Sequence, residues 1–233
     1  MKKPQTRRIL LLLGCAVLLV CLSVGATLAY LTSTTGVVEN TFTVGNVQIT
    51  LDERDVDVYG VPVPSANPER VTANEYKLMP GHKYMKDPKI HVAAGSEACY
   101  LFVKVVNGIA GLEAPDVEGE TPTSIKSQMD QNGWVELDGI SNVYYYNLNI
   151  HSTNGVAGVV DARIDAKHVP VFEQIILRTD ANDYFNQYPV DESKGVLEAN
   201  ITVQAYAVQA DGFDTAADAY DAAPLWGVRN PNP

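Results

Sequence analysis

The sequence predicts an all-β protein in which short antiparallel strands pack as a sandwich with two or so short helices at its periphery. Apolar and polar residues alternate at period two in residues 47–51 and 199–210, the pattern of a strand with one buried face. Turn signals lie between such segments, and helical spacing is confined to two brief stretches. Strands joined by turns, with few helices, are typical of antiparallel sandwiches.

Residues 1–29 have the composition of an export signal, which would form a helix ahead of the sandwich. A basic start precedes an apolar run over residues 9–24. Thr27 and Ala29 are small residues where a signal peptidase reads its site, so the predicted cut falls before Tyr30. Because residues 9–29 are long enough to span a bilayer, a retained membrane anchor is the alternative.

The charge balance is acidic, with 17 basic and 28 acidic residues and a net charge of −11. Removing residues 1–29 would take away four basic residues and no acidic ones, leaving −15. This charge argues against nucleic acid or an anionic membrane surface as a partner, so membrane contact is expected only through an uncleaved signal. Cys99 would be the one remaining cysteine, so stability must come from a packed core that includes it.

Residues 30–43 predict an extended segment ahead of a domain that covers residues 44–233. The segment is polar and β-branched, and its apolar side chains are Leu31, Val37, Val38 and Phe42. That is too little apolar surface to fold alone. An extended segment without a partner in its own fold can pair with an open sheet edge of a second molecule.

Further elements are predicted along residues 44–233. Strands are expected at residues 89–92, 99–106, 134–137, 143–146 and 169–177, the third and fourth joined by a turn at Asp138 and Gly139. One helix is expected to begin at Thr123 or Ser124 and to stop at Gly133. A terminal helix is expected to begin at Asp214 or Thr215 and to run through Tyr220.

Three separated blocks carry a resemblance to a known family. The first combines Ala-Tyr-Leu-Thr at residues 29–32 with Asn-Thr-Phe-Thr-Val-Gly-Asn-Val at residues 40–47. The second is a Leu-x-Pro-Gly turn at residues 78–81 that leads into a strand and then an apolar run, and the third is Ala-x-Gln-x-x-Gly at residues 207–212. The sequence resembles the TasA and camelysin family, exported matrix and surface proteins of Gram-positive bacteria, over nearly all of residues 30–233.

The resemblance implies a jelly-roll sandwich, cleavage by a signal peptidase of the SipW type, and secretion to the extracellular matrix or cell surface. It also implies a structural protein of the biofilm matrix that forms a head-to-tail homopolymer, each copy donating its N-terminal segment to the next. Leu31, Val37, Val38 and Phe42 are then the donor-strand residues. The chain could be the major fibre subunit, a minor component or an anchor.

Two alternatives belong to other functional classes. One is a surface metalloprotease, as the camelysin branch has been classed, and the other is a monomeric cell-wall-binding module with residues 144–146, three tyrosines, stacked on sugar. The sequence has no His-Glu-x-x-His, nucleophile elbow or phosphate loop, so we expect no catalytic residues, cofactor or metal. A zinc site that joins distant histidines stays an alternative; the histidines are His82, His91, His151 and His168.

Overall fold

The computed structural model describes residues 42–43, 46–64, 69–153, 155–187, 190–191, 196–197 and 199–230. In chain order its strands are β1 (Phe42–Thr43), β2 (Val47–Arg54), β3 (Arg70–Val71), β4 (Lys83–Met85), β5 (Lys89–Val92), β6 (Cys99–Asn107), β7 (Trp134–Glu136), β8 (Val143–Tyr146), β9 (Val159–Val160), β10 (Lys167–Pro170), β11 (Gln174–Ile176), β12 (Val190–Asp191), β13 (Val196–Leu197) and β14 (Ile201–Gln209). Its helices are α1 (Ile125–Gln131) and α2 (Ala216–Ala222), with 3₁₀ turns at Ala110–Leu112, Ala181–Asp183 and Phe185–Gln187. The predicted all-β fold with two short helices is confirmed.

The predicted signal-peptide helix over residues 1–29 lies outside the described residues. Among the helices that the structure does describe, none has the length and apolar character needed to cross a membrane.

Two antiparallel sheets form the body of the fold. Sheet I has the strand order β1-β2-β5-β10, and β3 also pairs with β2. Sheet II has the order β14-β6-β8-β7, and β9 also pairs with β6. Two smaller antiparallel pairs, β4 with β11 and β12 with β13, lie outside these sheets.

A central core of apolar side chains lies between sheets I and II. Sheet I contributes Val47, Ile49, Leu51, Ile90, Val92 and Val169, and sheet II contributes Cys99, Leu101, Val103, Val105, Trp134, Tyr144, Tyr146, Ala205 and Ala207. These are alternate residues of their strands, because successive side chains of a strand point to opposite faces. The predicted inward faces of residues 47–51 and of β14 are therefore confirmed.

Part of the second face of sheet II is buried as well. An outer core, made of Tyr100, Phe102, Leu137, Val143, Tyr206, Val208, Ala216, Ala219 and Tyr220, joins this face to α2. The hydroxyl of Tyr206 donates to the carbonyl of Ala223 at 2.9 Å, and that of Tyr100 donates to the carbonyl of Phe213 at 3.3 Å. The tyrosines thus bury their rings while their hydroxyl groups stay paired, as buried tyrosines require.

The predicted helix boundaries are confirmed by their caps. The Ser124 hydroxyl accepts a hydrogen bond from the Ser127 amide at the start of α1. After α1, Gly133 adopts a φ of +85°, a left-handed conformation that a side chain would strain. Thr215 caps α2 in the same way, accepting from the amide of Asp218 at 3.1 Å.

The sequence left one connection undetermined, and one predicted strand differs from the structure. Residues 89–92 and 99–106 flank a turn, but they do not pair, because β5 belongs to sheet I and β6 to sheet II. The single strand predicted over residues 169–177 is two strands, β10 paired with β5 and β11 paired with β4. Val171 and Phe172 fill the break between them and are fully buried in the central core.

The outer edge of β11 is closed by a side chain. The Gln128 amide oxygen accepts from the backbone amides of Glu173 and Gln174, both at 3.1 Å. Its nitrogen donates to the Gln174 carbonyl at 3.0 Å. Farther along, the amide of Ala114 donates to the carbonyl of Ile176 at 2.8 Å. Gln128 and Ala114 thus take the place of a further strand.

We expect truncation of a buried and an exposed valine on β6 to change the free energy of unfolding by different amounts. Val103 is 0% exposed and Val106 is 43% exposed. Val103→Ala should lower the free energy of unfolding by about 2 kcal/mol because it leaves a cavity between the sheets. Val106→Ala should cost less than about 1 kcal/mol. Urea unfolding of both variants measures the difference, and equal losses would contradict the described core.

Candidate functional site

β14 lies at one end of sheet II. On one side it pairs with β6 along its full length, from Ile201 opposite Asn107 to Gln209 opposite Cys99. On its other side, no strand that the structure describes is paired with it. Within the described ranges, β14 therefore has one paired edge and one open edge.

The hydrogen-bonding phase of β14 follows from its two ends. The amide of Gly108 donates to the carbonyl of Asn200 at 2.9 Å, and the amide of Ala210 donates to the carbonyl of Ala98 at 2.7 Å. Hydrogen-bonded pairs recur at every second residue of an antiparallel ladder, so the even-numbered residues of β14 bond to β6. The N–H and C=O groups of the odd-numbered residues point toward the open edge.

The same odd-numbered residues direct their side chains toward the central core. Ala205 and Ala207 are buried there, whereas Ile201 and Val203 pack against the core but are only half-buried. β1 and β2 of sheet I lie close to β14. Among the described residues, this edge therefore has backbone groups without a strand partner and a partly covered apolar row, the two features by which a sheet edge binds an added strand.

Most of the predicted site residues lie outside the described residues: the cleavage residues Thr27, Ala29 and Tyr30, and the donor residues Leu31, Val37 and Val38. Phe42, the last predicted donor residue, lies in β1. There the backbone of Phe42 is opposite Gln48 and that of Thr43 is opposite Val47, within the same chain. The end of the predicted extended segment is thus paired to sheet I.

The four histidines fall in three places. His82 Nε2 lies 3.0 Å from the carbonyl of Tyr59. The His151 ring stacks on Tyr146, and burial, aided by the charge of Lys167, lowers its pKa. His91 and His168, which sequence spacing did not connect, lie side by side in sheet I with their Nδ1 atoms 2.6 Å apart. Partial desolvation, together with His91 and the charges of Lys89 and Arg70, lowers the pKa of His168.

Cys99 and the tyrosines of residues 144–146 pack in or beside the two cores. Burial raises the pKa of the Cys99 thiol to about 12, so it is not a thiolate at neutral pH. The hypothesis that residues 144–146 present an exposed aromatic face is wrong for two of the three. Tyr144 and Tyr146 are buried in the central core, and Tyr145 packs beside the outer core.

Among the carboxylates, Asp161 is buried and strongly paired. The Thr153 hydroxyl donates to it at 2.5 Å, and the Arg163 guanidinium donates to it at 2.9 and 2.6 Å. These bonds from Arg163 and Thr153 hold the pKa of Asp161 well below its usual range. Across the ranges that the structure describes, no three His, Cys, Asp or Glu side chains are grouped to hold a metal ion.

Sequence reasoning identified β14 as a strand but missed that it is an edge. Its alternation gives the inward face, yet a strand with one neighbour and a strand with two can share that pattern. Nothing in the sequence near Ile201 and Val203 indicates that these two side chains are only half-buried. Only the pairing of β14 with β6 alone, among the described strands, distinguishes the edge.

A proline can test the phase of β14. The N–H of Val203 points to the open edge, so Val203→Pro should remove no bond to β6 and should fold, as prolines on edge strands do. Gln204→Pro should cost about 1 to 3 kcal/mol more, because the carbonyl of the opposite Lys104 then loses its donor. Urea unfolding compares the two variants. If Val203→Pro were the more damaging, the assignment of the open edge would be reversed.

The pairing of Asp161 predicts a dependence on acid. Its pKa is lower in the folded than in the unfolded chain, so its stabilisation is complete above about pH 4 and falls away as pH drops below that. Asp161→Asn should cost about 1 to 3 kcal/mol at pH 7, and this cost should shrink toward pH 2.5. Urea unfolding at both pH values measures it, with the exposed Asp165→Asn as control. A pH-independent cost would contradict the assignment.

No protein-family model, no curated protein and no solved structure matches this chain.

Proposed function

We propose that this chain is a secreted structural protein of the cell surface or biofilm matrix that polymerises by strand donation. The N-terminal segment of one copy, freed by a signal peptidase of the SipW type, adds to the open edge of β14 in the next copy. The sequence resemblance to the TasA and camelysin family motivates this function. The observation that carries it is the edge of β14, with its outward N–H and C=O groups beside a partly covered apolar row.

The length of the segment suits that edge. Phe42 and Thr43 pair with β2 of their own chain, so residues 30–41 are the part available to donate. Twelve extended residues span about 40 Å, and the nine residues of β14 span about 30 Å. One copy can therefore cover the whole edge of another and still leave a short connection between them.

The side-chain pattern limits how much apolar burial can contribute. In an extended segment, Leu31 and Val37 share one face and Val38 lies on the other. Burying the first two against Ile201 and Val203 would contribute about 1.5 to 3 kcal/mol each. Association costs about 4 to 15 kcal/mol, so backbone pairing along β14 must supply much of the affinity, and assembly should depend on concentration.

The form of the polymer follows from the two surfaces. The donated segment and the accepting edge are different parts of the chain, so the contact is head-to-tail. A head-to-tail contact that does not close on itself builds filaments. The jelly-roll topology implied by the resemblance belongs to the same proposal, supported by the two antiparallel sheets around the central core.

Electron microscopy of three forms of the protein tests donation. Residues 30–233 should form fibres, whereas the chain that keeps residues 1–29 and the chain that begins at residue 39 should not. Size-exclusion chromatography of the same samples at several concentrations measures the size of the species that form before fibres. Only residues 30–233 should show larger species as the concentration rises. Fibres from the chain that lacks residues 30–38 would disprove donation by this segment.

A second test addresses the acceptor edge. In residues 30–233, Val203→Pro should abolish fibres while the protein stays folded, because the proline ring replaces one of the outward N–H groups of the open edge. Val203→Thr is the matched control: it keeps the N–H and the β-branched shape, and it should still assemble. Normal fibres from the folded proline variant would place the acceptor elsewhere.

A further inference from the structure

Two histidines face each other across neighbouring strands of sheet I. His91 of β5 lies opposite His168 of β10, and their Nδ1 atoms are 2.6 Å apart. The amide of Val171 donates to the carbonyl of Pro88 at 2.9 Å, so the opposite residues Val171 and Pro88 form a hydrogen-bonded pair. Such pairs recur at every second position along the ladder, at Val169 with Ile90 and at Lys167 with Val92. His91 and His168 therefore form a non-hydrogen-bonded pair, the type in which opposite side chains lie closest.

Asp52 determines which nitrogen of His91 carries the hydrogen. Its carboxylate lies 2.8 Å from His91 Nε2 and also pairs with the guanidinium of Arg70. A carboxylate only accepts, so His91 Nε2 must be the donor, and Nδ1 of the neutral ring then holds a lone pair. The bond between the rings is consequently donated by His168 Nδ1–H.

We propose that His91 and His168 form a two-histidine binding site for a divalent transition-metal ion, taking Cu²⁺ in preference to Ni²⁺ or Zn²⁺. Neutral imidazole nitrogens suit all three ions, and affinity for nitrogen donors is greatest for Cu²⁺. Two imidazole nitrogens at about 2.0 to 2.1 Å from one ion lie about 2.9 to 3.4 Å from each other. The two Nδ1 atoms need to separate by less than about 1 Å to reach this spacing.

Binding involves no change of oxidation state and a simple movement of one proton. His168 transfers its hydrogen from Nδ1 to Nε2, an atom that bonds to no residue within the described part of the chain. Both Nδ1 lone pairs then face the ion. Asp52 keeps its bond to His91 Nε2, the outer carboxylate contact that orients a ligating imidazole and raises its basicity.

The surroundings make this an open, exchangeable site. His168 is exposed and the His91 side chain is 23% exposed, so an ion can enter from solvent. The positive charges of Lys89 and Arg70 oppose a cation, while the carboxylates of Asp52 and Asp87 offset them. Two protein donors leave the remaining positions to water or to a group from another molecule. The site does not depend on polymerisation.

Titration of the full-length protein with Cu²⁺ at pH 7.5 tests the site. We expect one ion per chain by calorimetry, and electron paramagnetic resonance lines split by two nitrogen donors. His91→Gln and His168→Gln should each weaken binding at least tenfold and leave one nitrogen in the spectrum. Asp52→Asn should weaken binding by about 10- to 100-fold while both nitrogens remain.

His82→Gln is the matched control, because it removes an imidazole that lies outside the pair. Its affinity and spectrum should equal those of the unchanged protein, and circular dichroism should show that all variants fold. An equal loss in His82→Gln and His91→Gln would overturn the site. So would Cu²⁺ binding that persists unchanged in the double variant of His91 and His168.

Discussion

Strand β6 is the element on which the rest of the described structure depends. Cys99, Leu101, Val103 and Val105 lie in the central core and Tyr100 and Phe102 lie in the outer core, so both faces of β6 are buried from Cys99 to Val103. Its backbone is bonded on both sides, to β14 on one and to β8 and β9 on the other. Because close-packed interiors transmit small changes in volume, a change in β6 reaches both layers. By occupying one edge of β14, β6 also determines which edge of β14 can take a partner.

The parts of the fold that the sequence predicted are those set by local chemistry. Alternation gave the inward faces of β2 and β14, and the caps Ser124 and Thr215 gave the starts of both helices. The errors concern partners that are distant in sequence. Nothing near residues 94–96 indicates that the chain crosses from one sheet to the other there. Likewise, the apolar run of residues 169–177 continues through a break that exists because Phe172 enters the core.

For the candidate sites too, the sequence predicted local features but not which distant residues lie together. The sequence predicted an extended segment, since composition alone indicates that Leu31 and Val37 have few apolar residues near them in the chain. It did not show where such a segment could bind, because an edge is defined by strands that are missing beside it. His91 and His168 are likewise 77 residues apart and become neighbours only through the pairing of β5 with β10.

The Gln128 amide covers backbone groups on the outer edge of β11, so those groups are not available to an added strand. A bare strand edge can stick to any extended chain, and a side-chain amide that satisfies the same backbone groups removes that hazard without lengthening the sheet. If copies join head to tail as proposed, with the N-terminal segment of one on the open edge of β14 in the next, growth at the two ends of the polymer would not be equivalent. Such a filament would possess a direction, and its tips would differ in what they can recruit.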